Sequence, residues 1–281
     1  NLTLTGGSAI SDSGAVSLTN ASGAILHVAQ SETIGNLSGG GASGGDISIA
    51  AGQTLTANQS TAATFAGIIS GSGGFTKNGT GTLTLSNTNT YQGATTINAG
   101  AVALTGSNTA SATAINSGGT LIGTGSAGAV TVNSGGFIGA GSAAATAGTL
   151  TVGSLTLNGG SGYTWDLGNV SGTAGTNWDL VTATSTTINA DSTNKFTIYI
   201  TGNPTGWSPS TSYASGWNIL QWGTLNSTFD ASAFAVNAAN FTGSAPTGSW
   251  TFQNSGGYLN LSYTAPDPAA VWNAGTGNWN T

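Results

Sequence analysis

The sequence predicts an all-β fold: a β-solenoid closed by an aromatic-rich C-terminal β cap and followed by a short extended tail. Three observations carry that prediction. The composition is apolar and rich in β-branched residues but nearly free of charge, a short motif recurs at a period near 18, and apolar residues alternate with Thr between Gly/Asn corners.

Only ten of the 281 residues are charged: Lys77, Lys195, Asp12, Glu32, Asp46, Asp166, Asp179, Asp191, Asp230 and Asp267. Soluble domains ordinarily carry about 25% charged residues, against 4% here. Disordered chains combine low hydrophobicity with high net charge. Here 38% of the chain is apolar, which points to a folded, β-rich protein. A net charge of −6 without arginine excludes nucleic acid as a partner, because neutralising phosphates needs a basic face. No apolar run approaches the ~18 residues of a membrane-spanning helix. Cysteine is absent, so disulfides are too. The opening Asn1-Leu2-Thr3-Leu4 has neither a basic leader region nor an initiator Met, which suggests a mature or excised segment.

The repeats set the architecture. Ile97-Asn98-Ala99-Gly100, Ile115-Asn116-Ser117-Gly118 and Val132-Asn133-Ser134-Gly135 share one shape, with their asparagines 18 and 17 residues apart. A looser copy, Leu157-Asn158-Gly159-Gly160, follows 25 residues later, the excess matching a small-residue insertion near Ser142 to Gly148. Upstream, Ile49-Ala50-Ala51-Gly52 has the same shape with Ala replacing Asn. This period is too short for helical-pair repeats of about 33 to 45 residues and suits one coil of a β-solenoid. Gly and Asn reach positive φ cheaply, as a tight corner requires. In Thr82-Leu83-Thr84-Leu85 alternation turns the leucines inward and the threonines outward. Stacked coils would align Asn98, Asn116 and Asn133 in a ladder. An antiparallel sandwich or meander is the competing reading, since short strands with frequent turns fit it too.

These coils are assigned to residues 1–162. Composition changes near residue 163, beyond which lie all eight Trp. Strand-like runs continue at Lys195 to Thr201, Asn218 to Trp222, Ser249 to Gln253 and Tyr258 to Tyr263. Residues 163–264 therefore read as wider, aromatic-filled coils or a β cap over the open end of the stack. Residues 265–281 read as a Pro-containing linker and a Trp-rich tail, whose apolar area implies that something buries it.

The sequence offers little to catalysis. A solenoid lyase needs a carboxylate cluster for Ca²⁺ and a base, and a glycosidase needs two carboxylates facing one bond. Asp166 and Asp179 are the one pair that adjacent coils could bring together, and capping of backbone N–H groups at corners accounts for them more simply. His27 has no second His for metal or triad work. We therefore expect no catalytic residues, cofactor or metal.

The segment "GSGGFTKNGTGTLTLSNTNTYQGATTINAGAVALTG", residues 71–106, resembles the autotransporter-associated β-strand repeat, also called the passenger-associated transport repeat. Lys77, Gly79, Gly81, Leu83, Leu85, Asn89, Tyr91, Gly93, Thr95, Ile97 and Gly100 fall on the positions of that pattern. Residues 115–263 are similar, less specifically, to the region that often follows such a repeat, and the terminal "VWNAGTGNWNT" to the opening of another unit. The resemblance implies a right-handed parallel β-helix, secreted or held at the surface of a bacterium. No segment here reads as the membrane barrel that ends an autotransporter.

Two functions follow as expectations. The first is a non-catalytic structural subunit of a head-to-tail fibre or surface assembly, a homo-oligomer joined through Asn1, Leu2 and Leu4 at one end and Val271, Trp272 and Trp279 at the other. The second is an adhesin or autotransporter-type passenger that binds glycans or a cell surface by stacking on Trp207, Tyr213 and Trp217.

Overall fold

The computed structural model describes residues 1–141 and 146–267. The expectations for Val271, Trp272, Trp279 and the tail from 268 onward fall outside those residues, as does most of the insertion after Gly141.

The chain winds as a parallel β-helix. Its strands form three stacked sheets of four, ten and thirteen strands. Pairings between described strands are parallel except in the last turn, where Tyr258–Thr264 runs antiparallel to both Tyr213–Leu225 and Ser249–Ser255. Register in the thirteen-stranded sheet follows one column through the molecule. Leu55 pairs with Phe75, Phe75 with Thr95, Thr95 with Thr113, Thr113 with Val130, Val130 with Leu155, Leu155 with Thr186 and Thr186 with Leu225. Coils of twenty residues thus narrow to eighteen and seventeen, then widen to twenty-five, thirty-one and thirty-nine.

Alternation explains the strands. Leu83 and Leu85 are buried while Thr82 and Thr84 are half-exposed, so one face joins the aliphatic column and the other meets solvent. The corners explain the glycines. Gly79 and Gly100 turn at φ +75° and +62°, where a Cβ is costly. Parallel strands leave no hairpin to satisfy the backbone locally, so strand N–H and C=O groups pair with the coils above and below.

The four-stranded sheet is confined to the first coils. It consists of Leu2–Leu4, Ile25–Val28, Asp46–Ile49 and Ile69–Gly71. This corrects the reading of Ile49-Ala50-Ala51-Gly52 as an upstream copy of the Asn repeat. Ile49 pairs with Val28 and Gly71 on the four-stranded sheet, a different face from Ile97. The true upstream members are Ala57-Asn58 and Lys77-Asn78, since Ala57 pairs with Lys77 and Lys77 with Ile97. An apolar residue before a corner looks the same on every face; the asparagine carries the distinction.

Beyond residue 163 the parallel sheets continue. Gly162–Asp166, Phe196–Thr201 and Phe234–Asn237 extend the ten-stranded sheet, and Leu180–Ile188 and Tyr213–Leu225 the thirteen-stranded one. Large aromatics fill the wider interior: Tyr163, Trp165, Phe196, Trp217 and Tyr263 are buried. Among the described residues, no helix is long and apolar enough to cross a membrane.

Candidate functional site

The repeat segment begins where the four-stranded sheet stops. After Ile69–Gly71 the chain needs partners for a strand edge without a further strand to supply them. Asn89, buried in the next coil, accepts the Ile69 N–H at 2.9 Å through its side-chain oxygen and donates to the carbonyls of Asn87 and Ser107 at 3.1 and 3.3 Å. Backbone bonds from Thr90 and Gln92 to Ile69 and Gly71 complete the cover. An amide side chain thus replaces one rung of a sheet, and the coil loses a face.

Lys77 takes an inward position where the later coils place Ile97, Ile115 and Val132. Its ammonium is fully buried and donates to three backbone carbonyls, those of Asn78 and Gly79 at 2.8 Å and of Ala99 at 3.1 Å. Burial pulls its pKa down to about 8, which leaves it charged at neutral pH. Three acceptors for three ammonium hydrogens fit that form. The side chain ties the corner of one coil to that of the next.

A buried hydrogen-bond chain links a twenty-residue coil to the eighteen-residue coil after it. The Tyr91 hydroxyl lies 2.6 Å from the Thr95 hydroxyl, which lies 2.8 Å from that of Ser111; Ser111 donates to the Gly93 carbonyl at 2.7 Å. Asn108 donates to Tyr91 and Thr95 at 2.8 and 3.1 Å. Burial pushes the Tyr91 hydroxyl up to about 12, so it stays a neutral donor. A Cβ on Gly93 would come within 2.3 Å of the Gly73 backbone; that close approach is why the position takes Gly.

The asparagines expected at 98, 116 and 133 stand at successive corners, joined side chain to side chain. Asn116 donates to Asn98 and Asn133 to Asn116, each at 2.8 Å. The column also includes residues the spacing argument did not name as site residues: Asn98 donates to Asn78 at 3.0 Å, Asn158 to Asn133 at 3.0 Å and Asn189 to Asn158 at 2.9 Å. The pairs Lys77-Asn78 and Ile188-Asn189 carried the signal in the sequence, disguised by an inward lysine and by a coil of thirty-one residues.

At the wide end, Trp207, Tyr213 and Trp217 come together. Trp207 stacks on Tyr213 with ring centres 5.2 Å apart and planes at 12°, and on Trp250 at 5.9 Å and 6°. Trp217 is 1% exposed, while Trp207 and Tyr213 are half-buried. Polar edges are bonded to backbone: the Trp207 indole N–H donates to the Ser244 carbonyl at 2.8 Å and that of Trp217 to Val170 at 3.1 Å. The Tyr263 hydroxyl accepts N–H bonds from Thr247 and Gly248 and donates to Pro209. These rings pin the long loops of the last coil.

Asp166 and Asp179 also meet. One Asp179 oxygen accepts the Gly148 N–H at 3.0 Å, and the other the Asp166 N–H at 3.1 Å. Both residues are buried. Burial pushes Asp179 up to about 8 and raises Asp166 as well. The Asp179 oxygens face backbone donors and an Asp166 oxygen faces the Thr201 hydroxyl, which suits capping. His27 points outward from its strand, half-exposed. Among the described residues no group of three or more His, Cys, Asp or Glu is placed to hold a metal.

At the other end, Leu2–Leu4 pairs on one side with Ile25–Val28. Asn1 is exposed, Leu4 is buried, and Leu2, 57% exposed, is the sole exposed large hydrophobic among the described residues.

Comparison with known proteins agrees with this geometry. Residues 75–104, the segment holding Lys77, Asn89, Tyr91 and Gly93, match the family described as Passenger-associated-transport-repeat. A stretch of 92 residues is 42% identical to the "Adhesin BmaC autotransporter" of Brucella suis biovar 1 (strain 1330). That stretch is 32% of this chain and only 3% of the relative's length. Both matches place the chain among bacterial proteins that are secreted or displayed on the cell surface.

Proposed function

Starting from a chain that carries a passenger-associated transport repeat of the bacterial autotransporter type, we propose that it is a non-catalytic stalk segment of a surface adhesin. The observation behind this reading is the uninterrupted parallel pairing of the ten-stranded sheet. At about 4.8 Å per strand that stack is a rod of about 43 Å. Its side-chain chemistry is spent on holding coils together: Lys77 on carbonyls, the asparagines on one another and the buried acids on backbone N–H groups. Displaying the chain between a membrane anchor and an antibody epitope tests the idea. The epitope should move outward by about 40 Å; an epitope held at the height of the bare anchor would refute it.

A second reading, end-to-end assembly into a fibre, has one observation in its favour. Leu2, in the strand Leu2–Leu4, is an exposed large hydrophobic, apolar surface that a second copy would cover. Sedimentation velocity on purified chain separates the two. A monomer at micromolar concentration defeats the fibre, whereas oligomers that Leu2→Lys dissolves support it. Glycan binding through Trp207 and Tyr213 would require their packed faces to be uncovered.

A further inference from the structure

The acid pair of the wide coils is doing something that simple capping does not require. A corner that needs two backbone N–H groups satisfied can use Asn or Ser, or a solvated Asp, at little cost. Here Asp179 is 2% exposed and Asp166 6% exposed. Their main chains are tied to each other as well: the Asp179 N–H donates to the Asp166 carbonyl at 3.0 Å, and the Trp165 indole N–H to the Asp179 carbonyl at 3.0 Å. Beside them lies the hydroxyl of the fully buried Tyr163. The Thr201 hydroxyl donates to Asp166 at 3.3 Å.

No cation compensates this pair among the described residues. The Lys77 ammonium is held in its carbonyl cage. Lys195 is exposed and acts on Asp230, and His27 sits in the first coils. The titratable groups facing Asp179 are therefore Asp166, whose charge opposes its ionisation, and Tyr163, whose own ionisation the Asp179 charge opposes.

We propose that Asp166 and Asp179 form an acid-closed latch, which fastens Gly148 and the start of the strand Thr149–Leu157 to the wide coils and loosens as its surroundings become alkaline. The step is loss of one carboxyl proton to water. Closed, the pair keeps that proton; open, a solvated Asp gives it up at the ordinary carboxylate pH. Between those limits each rise of one pH unit favours the open form about tenfold, and above the upper limit the dependence stops. With Asp179 raised to about 8 from 3.8, the window runs from about pH 4 to pH 8.

Hydrogen exchange on the full chain, corrected for the intrinsic pH dependence of exchange, tests the latch at the amides of Gly148, Asp166 and Leu180. Protection should fall about tenfold per pH unit from pH 5 to pH 8 and level off above, while amides of the narrow coils such as Ile97 stay flat. Asp179→Asn should abolish the slope. Flat protection across that range in the unmodified chain, or the same slope in Asp179→Asn, would overturn the proposal. If the variant does not fold, carbon NMR of the Asp179 carboxyl in the unmodified chain decides: titration near pH 8 supports the latch, and titration near pH 4 removes it.

Discussion

The narrow coils around Thr95–Val132 and the wide coils around Leu155–Leu225 share one sheet and one pairing scheme, yet hold themselves together differently. Where a coil takes seventeen or eighteen residues, Ile97, Ile115, Val132 and Leu121 meet across the interior, and the little remaining space is closed by hydroxyls and amides bonded in a chain. Where it takes thirty-one or thirty-nine, aliphatic side chains no longer span the gap. Trp165, Trp217 and Tyr263 fill it instead, with loops folded over them. Backbone pairing is thus indifferent to cross-section, and the side chains answer to it. Interiors are close-packed, so a coil that gains length must gain ring area with it.

Four perturbations sharpen the contrast. Trp217→Ala removes the largest block from the wide interior and should cost about 4 kcal/mol, read by chemical denaturation. Hydrogen exchange should show the loss confined to residues beyond 150, and equal loosening at Ile97 would mean that the two regions unfold as one. Lys77→Met keeps the volume but strands three carbonyls, at a cost of about 3 kcal/mol. A stable Lys77→Met variant would show that the cage contributes nothing.

Next comes pH. Asp179 is raised in the folded chain, to about 8 from 3.8. Its contribution to stability is therefore complete below about pH 4 and is lost as pH climbs to about 8. The melting temperature should drop by about 10 °C or more over that interval, and Asp179→Asn should flatten the profile. The smallest effect belongs to the ladder. Asn116→Ala breaks two amide bonds and should cost about 1–2 kcal/mol, whereas Asn189→Ala, at the exposed end of the column, should cost about 0.5 kcal/mol. Equal costs would show that the column is not cooperative.

The fold was legible because alternation and corner residues are local signals. Thr82–Leu85 announces its inward face without knowledge of its neighbours, and the Asn spacing yields the coil length directly. Which face a strand occupies is not local, and so Ile49 went to the wrong column. Lys77 shows the same limit: a lone lysine in sequence gives no hint that three backbone carbonyls await it, since carbonyls carry no residue identity. The meeting of Asp166 with Asp179 was expected across adjacent coils, but the two lie in one coil and are brought together by the antiparallel bridge between Leu167 and Trp178. The buried Tyr163 hydroxyl beside them was not foreseeable, because its burial is a property of the packing around it.

The buried lysine has a consequence for life outside a cell. With arginine absent, Lys77 and Lys195 are the two peptide positions that trypsin-like proteases recognise. The first is sealed inside the coils, and the second lies on the exposed turn Asp191–Lys195. A digestive enzyme of that specificity is left with one place to cut, and the severed strands on either side would still be held by the sheets to which they are bonded.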